Sequence, residues 1–384
     1  MRDAYRKIML VIPIAVGYFG EVLHGFASYA IQGKSWEFDF YRGVKKAVPA
    51  INKSLPDGIV LHIGKREVIE PIRALNLPYV LISDELEVDD PRVGLDEEAI
   101  GRMAADHLLE RGFNQLGFCG YDNINYSNGR ETGFCRQVKE SGKQVCVFNC
   151  HNEAVGSEHV ERQMERWLRE FSRPVGIVAC HDLLGMHLVQ RCRHVGLRVP
   201  EDIAVLGIDN CLLECEFTHP PLSSVDPGAH RVGYEAARLL DHMMDGEPKP
   251  IKPVLVEPLG VVTRQSTDIL AIDDPVIADA LRFIREHAGD PVSVDDVLAQ
   301  VPVSRRKLER QFKTVLGRSP LAEIRRMHIE RAKQLLSCTD WSLEQVAAGS
   351  GMNDAMRLCH VFRKNTGMTP RDFRKQCRAG SIGI

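Results

Sequence analysis

The sequence predicts an α/β domain of two doubly wound lobes over residues 1–270, followed by an all-α domain over residues 276–384. In the first part, short apolar runs alternate with amphipathic stretches, which is typical of parallel strands joined by crossover helices. More than six such strands over about 265 residues favour two lobes instead of a single sheet. From residue 276 onward the apolar residues follow only the helical spacing, so the second domain is predicted to contain helices alone.

The predicted strands of the first domain are short and rich in Val, Ile, Leu or Phe. They cover residues 8–15, 58–62, 79–83, 115–119, 145–149, 175–179 and 203–208. Amphipathic helices are predicted between several of them, over residues 100–111, 159–171 and 183–195. In open parallel sheets, ligands bind beyond the carboxyl ends of the strands. The residues that follow a strand are therefore the candidates for function.

Polar or aromatic residues follow four of these strands, and they form a candidate ligand site. The candidate residues are Asp84, Tyr126, Arg130, His181, Asp182 and Asp209. Carboxylates accept hydrogen bonds from vicinal hydroxyls, Arg donates to hydroxyl and ring oxygens, and an aromatic ring covers the apolar C–H face of a sugar. The set therefore indicates a sugar site. The alternative interpretation is that Asp and Asn after strands are helix N-caps or turn residues.

The second domain contains an internal repeat. Residues 293–297 (SVDDV) recur as residues 342–346 (SLEQV), and the Phe…Gly…Pro pattern of residues 312–320 recurs at residues 362–370, 50 positions later. Each copy has the pattern of a short helix, a turn and a longer helix. Two helix-turn-helix units are therefore predicted, over about 293–316 and 342–366. A connecting helix of about 26 Å at 1.5 Å per residue would hold them about one turn of B-DNA apart.

The longer helix of each unit carries a polar stripe opposite its apolar face. The candidate DNA-binding residues are Arg305, Arg306, Glu309, Arg310 and Lys313 in the first unit, and Asn353, Arg357, His360 and Lys364 in the second. In a major groove, Arg and Asn can read base edges and Lys can meet phosphate. The alternative for either stripe alone is a solvated helix face.

The distribution of charge along the chain supports DNA contact over a solvated helix face. From Val276 onward, 19 Lys and Arg stand against 12 Asp and Glu, a net charge of +7, whereas the preceding part of the chain has a net charge of −10. A basic domain joined to an acidic one indicates a polyanion partner, here double-stranded DNA, for the second domain only.

Composition and missing motifs exclude several classes of protein. The longest apolar run, residues 8–16, is far too short to span a membrane, so no membrane partner is expected. Eleven cysteines without CxxC spacing fit a reducing cytoplasm. No GxGxxG, GxSxG or HExxH motif occurs. Cys146, Cys150 and His151 are more simply packing residues than metal ligands. No catalytic residue, metal or cofactor is expected.

Several segments of the first domain, in order along the chain, carry a family resemblance: residues 93–96, 104–112, 173–182, 195–210, 222–225 and 233–237. They resemble the core of the LacI-type and periplasmic-binding-protein-like sugar-binding fold, and the resemblance spans most of residues 7–265. It implies ligand contacts by Arg130, by the pair His181 and Asp182, and by Asp209. His181 departs from the Asn or Thr that is more usual in that family.

The second domain resembles the AraC-type regulator module over essentially all of residues 276–384, through its two units, the connecting helix and the closing pattern at residues 362–374. The base-reading positions of that family correspond to Arg306, Glu309 and Arg310 in the first unit, and to Arg357 and His360 in the second. His360 stands where Arg is common.

A sugar-binding domain ahead of an AraC-type module is similar to the arrangement in xylose-operon regulators. This resemblance implies a sugar-responsive transcription activator that is cytoplasmic, acts as a homodimer on repeated operator half-sites and contacts RNA polymerase. Two alternatives stay open. One is the same architecture sensing a non-sugar small molecule; the more remote one is a sugar-modifying enzyme, for which no nucleophile or phosphate motif is present.

Overall fold

The computed structural model describes residues 5–12, 17–41, 55–62, 69–82, 89–150, 157–250, 252–269, 274–352 and 354–378. The chain divides into two compact units, Met1–Ile269 and Leu270–Ile384. The first is an α/β unit of two lobes and the second is built of helices, which confirms the predicted fold class. Among the described residues, no helix is long and apolar enough to cross a membrane.

The first lobe is built on a parallel sheet of strand order β2-β1-β3-β4, extended by the parallel pair β5 and β11. Its elements are β1 (Arg6–Val11), α1 (Tyr18–Ala30), β2 (Trp36–Tyr41), β3 (Gly58–Leu61), α2 (Ile69–Arg73), β4 (Tyr79–Leu81), β5 (Val93–Leu95), α8 (Ala229–Met244) and β11 (Val254–Val256). Helices α1 and α8 cross in close contact, because a Cβ on Gly25 or Gly233 would lie 1.8 Å from a backbone oxygen of the facing helix. Strand β3 is buried along its whole length, which explains its continuous apolar run.

The second lobe contains a six-stranded sheet of order β12-β10-β9-β8-β6-β7, parallel except for β12. Its elements are α3 (Glu97–Leu109), β6 (Gln115–Tyr121), α4 (Asn125–Glu140), β7 (Gln144–Cys150), α5 (Glu158–Glu170), β8 (Val175–Ala179), α6 (Asp182–His194), β9 (Ile203–Ile208), α7 (Leu212–Phe217), β10 (Ser223–Asp226), β12 (Gly260–Val262) and a 3-10 turn (Gln265–Thr267). The central strands β8 and β9 are fully buried. The chain passes between the lobes after β5, after β10 and after β11.

The second unit repeats one structural motif around a shared helix. Its elements are α9 (Pro275–Glu286), α10 (Val294–Gln300), α11 (Arg305–Leu316), α12 (Pro320–Cys338), α13 (Leu343–Gly349), α14 (Ala355–Thr366) and α15 (Pro370–Arg378). Ser293 and Ser342 form capping boxes at the starts of α10 and α13. Helices α11 and α14 both end at a glycine in the left-handed conformation, Gly317 and Gly367.

Helix α12 joins two separate apolar cores. Its first half contributes Ile324 and Met327 to a core around Phe312, and its second half contributes Ile329 and neighbouring residues to a core around Phe362. At 19 residues the helix is about 28 Å long. A single rigid helix therefore fixes the spacing of the two helix-turn-helix units.

Candidate functional site

A cavity of about 200 Å³ lies between the two lobes of the first unit. It is lined by Tyr18, Phe19, His62, Ile82, Leu95, Glu97, Tyr126, Arg130, His181 and Asp209. Most of these residues lie on the segments that follow the carboxyl ends of strands β1, β3, β4, β5, β6, β8 and β9, and Leu95 is the last residue of β5. The cavity is smaller than the roughly 300–1,000 Å³ typical of drug-sized ligands. It therefore suits a small polar molecule.

Arg130 is the central charged group of the cavity and is 3% exposed. Its Nε donates to Glu97 Oε2 at 2.6 Å, and its Nη1 donates to the Cys180 carbonyl at 2.5 Å and to Asp209 Oδ1 at 3.3 Å. The two carboxylates hold the guanidinium charged and raise its pKa despite burial. The cluster pairs one cation with two anions, so a negative charge remains for hydroxyl donors.

Asp209 directly follows strand β9 and has an unusual backbone conformation. Its φ is +111°, and Asn210 follows with φ +50°, conformations that non-glycine residues seldom adopt. The turn is held from both sides, because the Asn210 amide donates to Ser224 Oγ at 2.9 Å and Arg264 Nη2 donates to Asn210 Oδ1 at 2.9 Å. Burial raises the pKa of Asp209 to about 6, against the lowering effect of Arg130. The carboxyl group is mostly ionised at pH 7.

His181 caps helix α6 and presents one defined ring nitrogen as a donor. Its Nδ1 accepts a hydrogen bond from the Leu184 amide at 3.1 Å. Burial, together with the nearby Arg130 charge, lowers the pKa of His181 to about 4, so the ring is neutral at pH 7. A neutral imidazole that accepts through Nδ1 carries its proton on Nε2. His181 is therefore an N–H donor on the wall of the cavity.

Aromatic rings occupy both sides of the cavity. The Arg130 guanidinium lies 5.2 Å from the centre of the Tyr126 ring, a cation–π contact that fixes that ring. Across the cleft, the Phe19 ring meets the His62 ring edge-on at 4.6 Å. The two lobes thus bring apolar faces and charged groups into one small space.

The structure brings together four of the six ligand-site candidates: Tyr126, Arg130, His181 and Asp209. Asp84 lies outside the described residues.

Asp182 does not line the cavity. It is 1% exposed, and its oxygens accept from Ser224 Oγ at 2.6 Å and from the Cys211 amide at 2.7 Å. Its carboxyl group also lies against Gly207, where a Cβ would be 2.1 Å from Oδ1. Asp182 therefore fixes the turn after β9 instead of facing the cavity.

Several cavity residues were not among the sequence candidates. They are Tyr18, Phe19, His62, Ile82, Leu95 and Glu97. Five come from the strands and following segments of the first lobe, and Glu97 begins α3 directly after the first passage between lobes. The rule that functional residues follow strands also applied to them. His62, for example, ends the predicted strand 58–62.

In the second unit, the described candidate DNA-binding residues lie on the two longer helices. On α11, Arg305, Arg306, Glu309, Arg310 and Lys313 are all exposed, and on α14, Arg357, His360 and Lys364 are exposed. Asn353 lies outside the described residues. Among the described residues, Arg305 forms long, exposed ion pairs, at 3.5 Å to Asp295 and 3.6 Å to Glu309. Both helices present polar, solvent-facing stripes opposite their buried Phe and Leu residues.

Comparison with known proteins gives the same two-part organisation. A family model described as a periplasmic binding protein-like domain matches residues 105–267, and one described as a helix-turn-helix domain matches residues 297–376. The chain is 29% identical over 378 residues to the xylose operon regulatory protein of Escherichia coli K12, covering 96% of both proteins. It is 29% identical over 393 residues to the protein of that name from Haemophilus influenzae, covering 98% of this chain and 100% of that protein.

A solved structure described as a xylose-binding transcription activator matches with a TM-score of 0.77 at 28% identity. The match covers 98% of this chain and 99% of that one. The similarity therefore extends over both units, and the similar proteins are transcription regulators, not enzymes.

Proposed function

We propose that this chain responds to a pentose, with xylose as the first candidate. The chain is a sugar-binding transcription regulator that joins a periplasmic-binding-protein-like domain to an AraC-type helix-turn-helix domain. The observation that carries the proposal is the small cavity in which charged groups and aromatic rings face the same space. The names of the similar proteins supply the candidate sugar.

The chemistry of the cavity matches the groups of a monosaccharide. Asp209 accepts from a pair of neighbouring hydroxyls, as a carboxylate does most effectively. His181 donates through Nε2, and the guanidinium of Arg130 donates through Nη2. The rings of Phe19 and Tyr126 cover the C–H faces of the sugar. A volume of about 200 Å³ favours a single small sugar over a disaccharide.

Helix α3 connects this cavity to the end of the first unit. Its first residue, Glu97, pairs with Arg130 at 2.6 Å. At its other end, His107 Nε2 lies 2.8 Å from Thr267 Oγ1, and Arg111 Nε donates to the Thr267 carbonyl at 2.9 Å. Thr267 is fully buried and lies three residues before the second unit begins. A ligand that favours one lobe arrangement would bias this helix, which is how differential affinity becomes a signal.

The second unit reads DNA in this proposal. Helices α11 and α14 each enter a major groove, with Arg306, Arg310 and Arg357 at base edges and Lys313 and Lys364 at phosphates. Their spacing by α12 would allow them to reach successive major grooves on one face of the duplex. The regulator would act in the cytoplasm as a homodimer, because paired modules on repeated half-sites raise the effective concentration of each. Activation would further require contact with RNA polymerase.

Calorimetric titration of the full chain tests the ligand. The panel is D-xylose, L-arabinose, D-ribose, D-glucose and D-galactose, with adenine and glutamate to cover non-sugar effectors. We expect saturable binding of a pentose and weaker binding of hexoses. Binding of adenine or glutamate but of no sugar would show that the cavity binds a non-sugar effector. Turnover of a sugar by the purified chain would contradict a purely regulatory role.

A further inference from the structure

The two longer helices of the repeat are built alike but carry different chemistry at equivalent positions. Both have 12 residues, both are capped by a side-chain oxygen, and both end at a left-handed glycine. The 50-residue offset of the repeat aligns them residue by residue. Three solvent-facing positions of the first helix are Arg305, Arg306 and Glu309, and the same positions of the second are Ala355, Met356 and Cys359.

Met356 is the most exposed residue of this second set. It is 83% exposed, whereas Ala355 and Cys359 beside it are half-buried. Residues three and four apart lie on one face of a helix, so Met356 and Ala355 both adjoin Cys359. A single exposed apolar residue is ordinary on a protein surface. This one occupies the position at which the first helix presents an exposed arginine, in the first turn.

We propose that Met356, flanked by Ala355 and Cys359, reads thymine through its C5-methyl group. The inference rests on the proposed DNA-binding function. In the major groove the thymine methyl is the one apolar group on the base edges, and apolar side chains recognise it by contact. The methionine side chain is long and adaptable, which suits contact with a methyl group in a groove. The N-terminal residues of a recognition helix are those that reach the bases.

The two units then recognise DNA sequence by different chemistry. Helix α11 reads with charged groups that donate and accept hydrogen bonds, and α14 reads thymine methyls at the corresponding positions. Arg357 and His360 on α14 supply its polar contacts. Each half-site therefore combines a hydrogen-bonded segment with a segment in which particular thymines are required for their methyl groups.

The test removes single methyl groups from the DNA. Duplexes that bind the full chain are first selected from a random pool, and every thymine of the selected site is then replaced singly by uracil. Loss of one buried methyl is expected to weaken binding about fourfold at one or more positions, from about 0.8 kcal/mol per buried CH₂ group. At those positions the Met356→Ala variant should show no further loss, whereas Met356→Leu and Arg306→Ala should remain sensitive to uracil.

The outcomes separate the two levels of the proposal. If no duplex is selected, the DNA-binding function itself fails, and the methyl contact fails with it. If a duplex is selected but uracil has no effect, or has the same effect on Met356→Ala as on the unchanged chain, only the methyl contact is overturned. Met356 is exposed, so an unchanged melting temperature of the variant shows that folding is not the cause.

Discussion

The two walls of the cavity between the lobes differ in chemistry over the residues that the structure describes. Among the described residues, the first lobe contributes mainly rings and aliphatic groups: Tyr18, Phe19, His62 and Ile82. The charged groups of the described lining, Glu97, Arg130 and Asp209, come from the second lobe, together with His181 and Tyr126. The difference corresponds to the two surfaces of a sugar, an apolar C–H face and a rim of hydroxyls. One lobe would therefore orient the ligand and the other would cover it.

The polar wall is also the one that is fixed in advance. Arg130 is tied to the Cys180 carbonyl, His181 to the Leu184 amide, and the Asp209 turn to Ser224 through Asn210. These side chains are already fixed by hydrogen bonds within the second lobe, so they lose little conformational freedom when a ligand binds, which raises affinity. Substitutions on both walls, together with a pH series, test this difference.

The largest effect is expected from Arg130→Met. Removing this buried cation leaves Glu97 and Asp209 without their shared partner, and breaking a buried ion pair in this way costs about 3–5 kcal/mol of folding free energy. Sugar binding should be lost as well. Denaturant unfolding checks the first effect and calorimetry the second. The matched control is Arg136→Met on the same helix, whose ion pair with Glu98 is half-exposed and should contribute at most about 1 kcal/mol.

Asp209→Asn should separate binding from stability. The substitution keeps a residue type that tolerates positive φ but removes the charge that accepts sugar hydroxyls. Hydrogen bonds to charged groups contribute about 1.5–3 kcal/mol, so affinity should fall about 10- to 100-fold. The unliganded variant should unfold at the same or a higher denaturant concentration. Unchanged sugar affinity would remove Asp209 from the site.

A pH series should produce about a tenfold effect. Because the pKa of Asp209 is raised to about 6, the ionised acceptor is lost as pH falls below 6, and sugar affinity should drop about tenfold between pH 7 and pH 5. His181, with its pKa lowered to about 4, stays neutral over this range. Calorimetry of Asp209→Asn should show no such dependence.

The pH dependence that Asp209 gives to folding stability is opposite to the pH dependence that it gives to sugar affinity. A carboxyl group whose folded pKa is raised contributes stability that is present at low pH and is lost as pH rises through about 6. From pH 7 to pH 5 this group should therefore stabilise the unliganded fold while the sugar is held more weakly. If both sugar affinity and the stability contributed by Asp209, measured against Asp209→Asn, fell from pH 7 to pH 5, the raised pKa assigned to Asp209 would be contradicted.

Arg111→Ala tests whether the polar wall is the one connected to the end of the unit. Loss of the hydrogen bond to the Thr267 carbonyl should leave sugar affinity almost unchanged, because Arg111 lies just beyond the end of α3 that is farther from the cavity. The change in DNA affinity that sugar causes should shrink by about 0.5–2 kcal/mol. DNA binding with and without sugar measures it. A full sugar response in the variant would show that the signal takes another route.

The smallest effect is expected at the apolar wall. Phe19→Ala removes a ring that lies against His62, and an aromatic contact contributes about 0.5–1.5 kcal/mol beyond its buried area. Sugar affinity should fall about fivefold without loss of the preference among pentoses. Phe40→Ala is the control, since Phe40 is half-exposed on β2 and does not line the cavity. A larger effect than that of Asp209→Asn would reverse the roles of the two walls.

The buried strands could be predicted from sequence because burial on both faces produces a continuous apolar run. Residues 175–179 and 203–208 match β8 and β9 to the residue. Strands β5, β10, β11 and β12 escaped prediction. Each has only three or four residues, and β10 begins with two serines. Strand β2 alternates apolar and acidic residues, a pattern that could have been predicted as an edge strand.

The cavity was predictable in part, and the failures have a physical cause. Asp182 and Asp209 both follow buried strands of the second lobe, and nothing local distinguishes them. The two residues are distinguished by Ser224, which is distant from Asp182 in the sequence. The Ser224 hydroxyl donates a hydrogen bond to Asp182, and its Oγ accepts one from the Asn210 amide, directly after Asp209. The aromatic wall was missed because Phe19 and His62 gain a role only when the first lobe faces the second.

The order of the two domains, the repeat of the helix-turn-helix units and the basic stripes could be predicted from the amino-acid sequence, because apolar spacing, capping residues and charge act over a few neighbouring positions. The packing of distant segments fixed which carboxylate faces the cavity between the lobes and which one supports the turn after β9, and it linked Arg130 to Thr267 through α3. Those features depend on side chains that are distant in sequence and meet only once both sheets have packed.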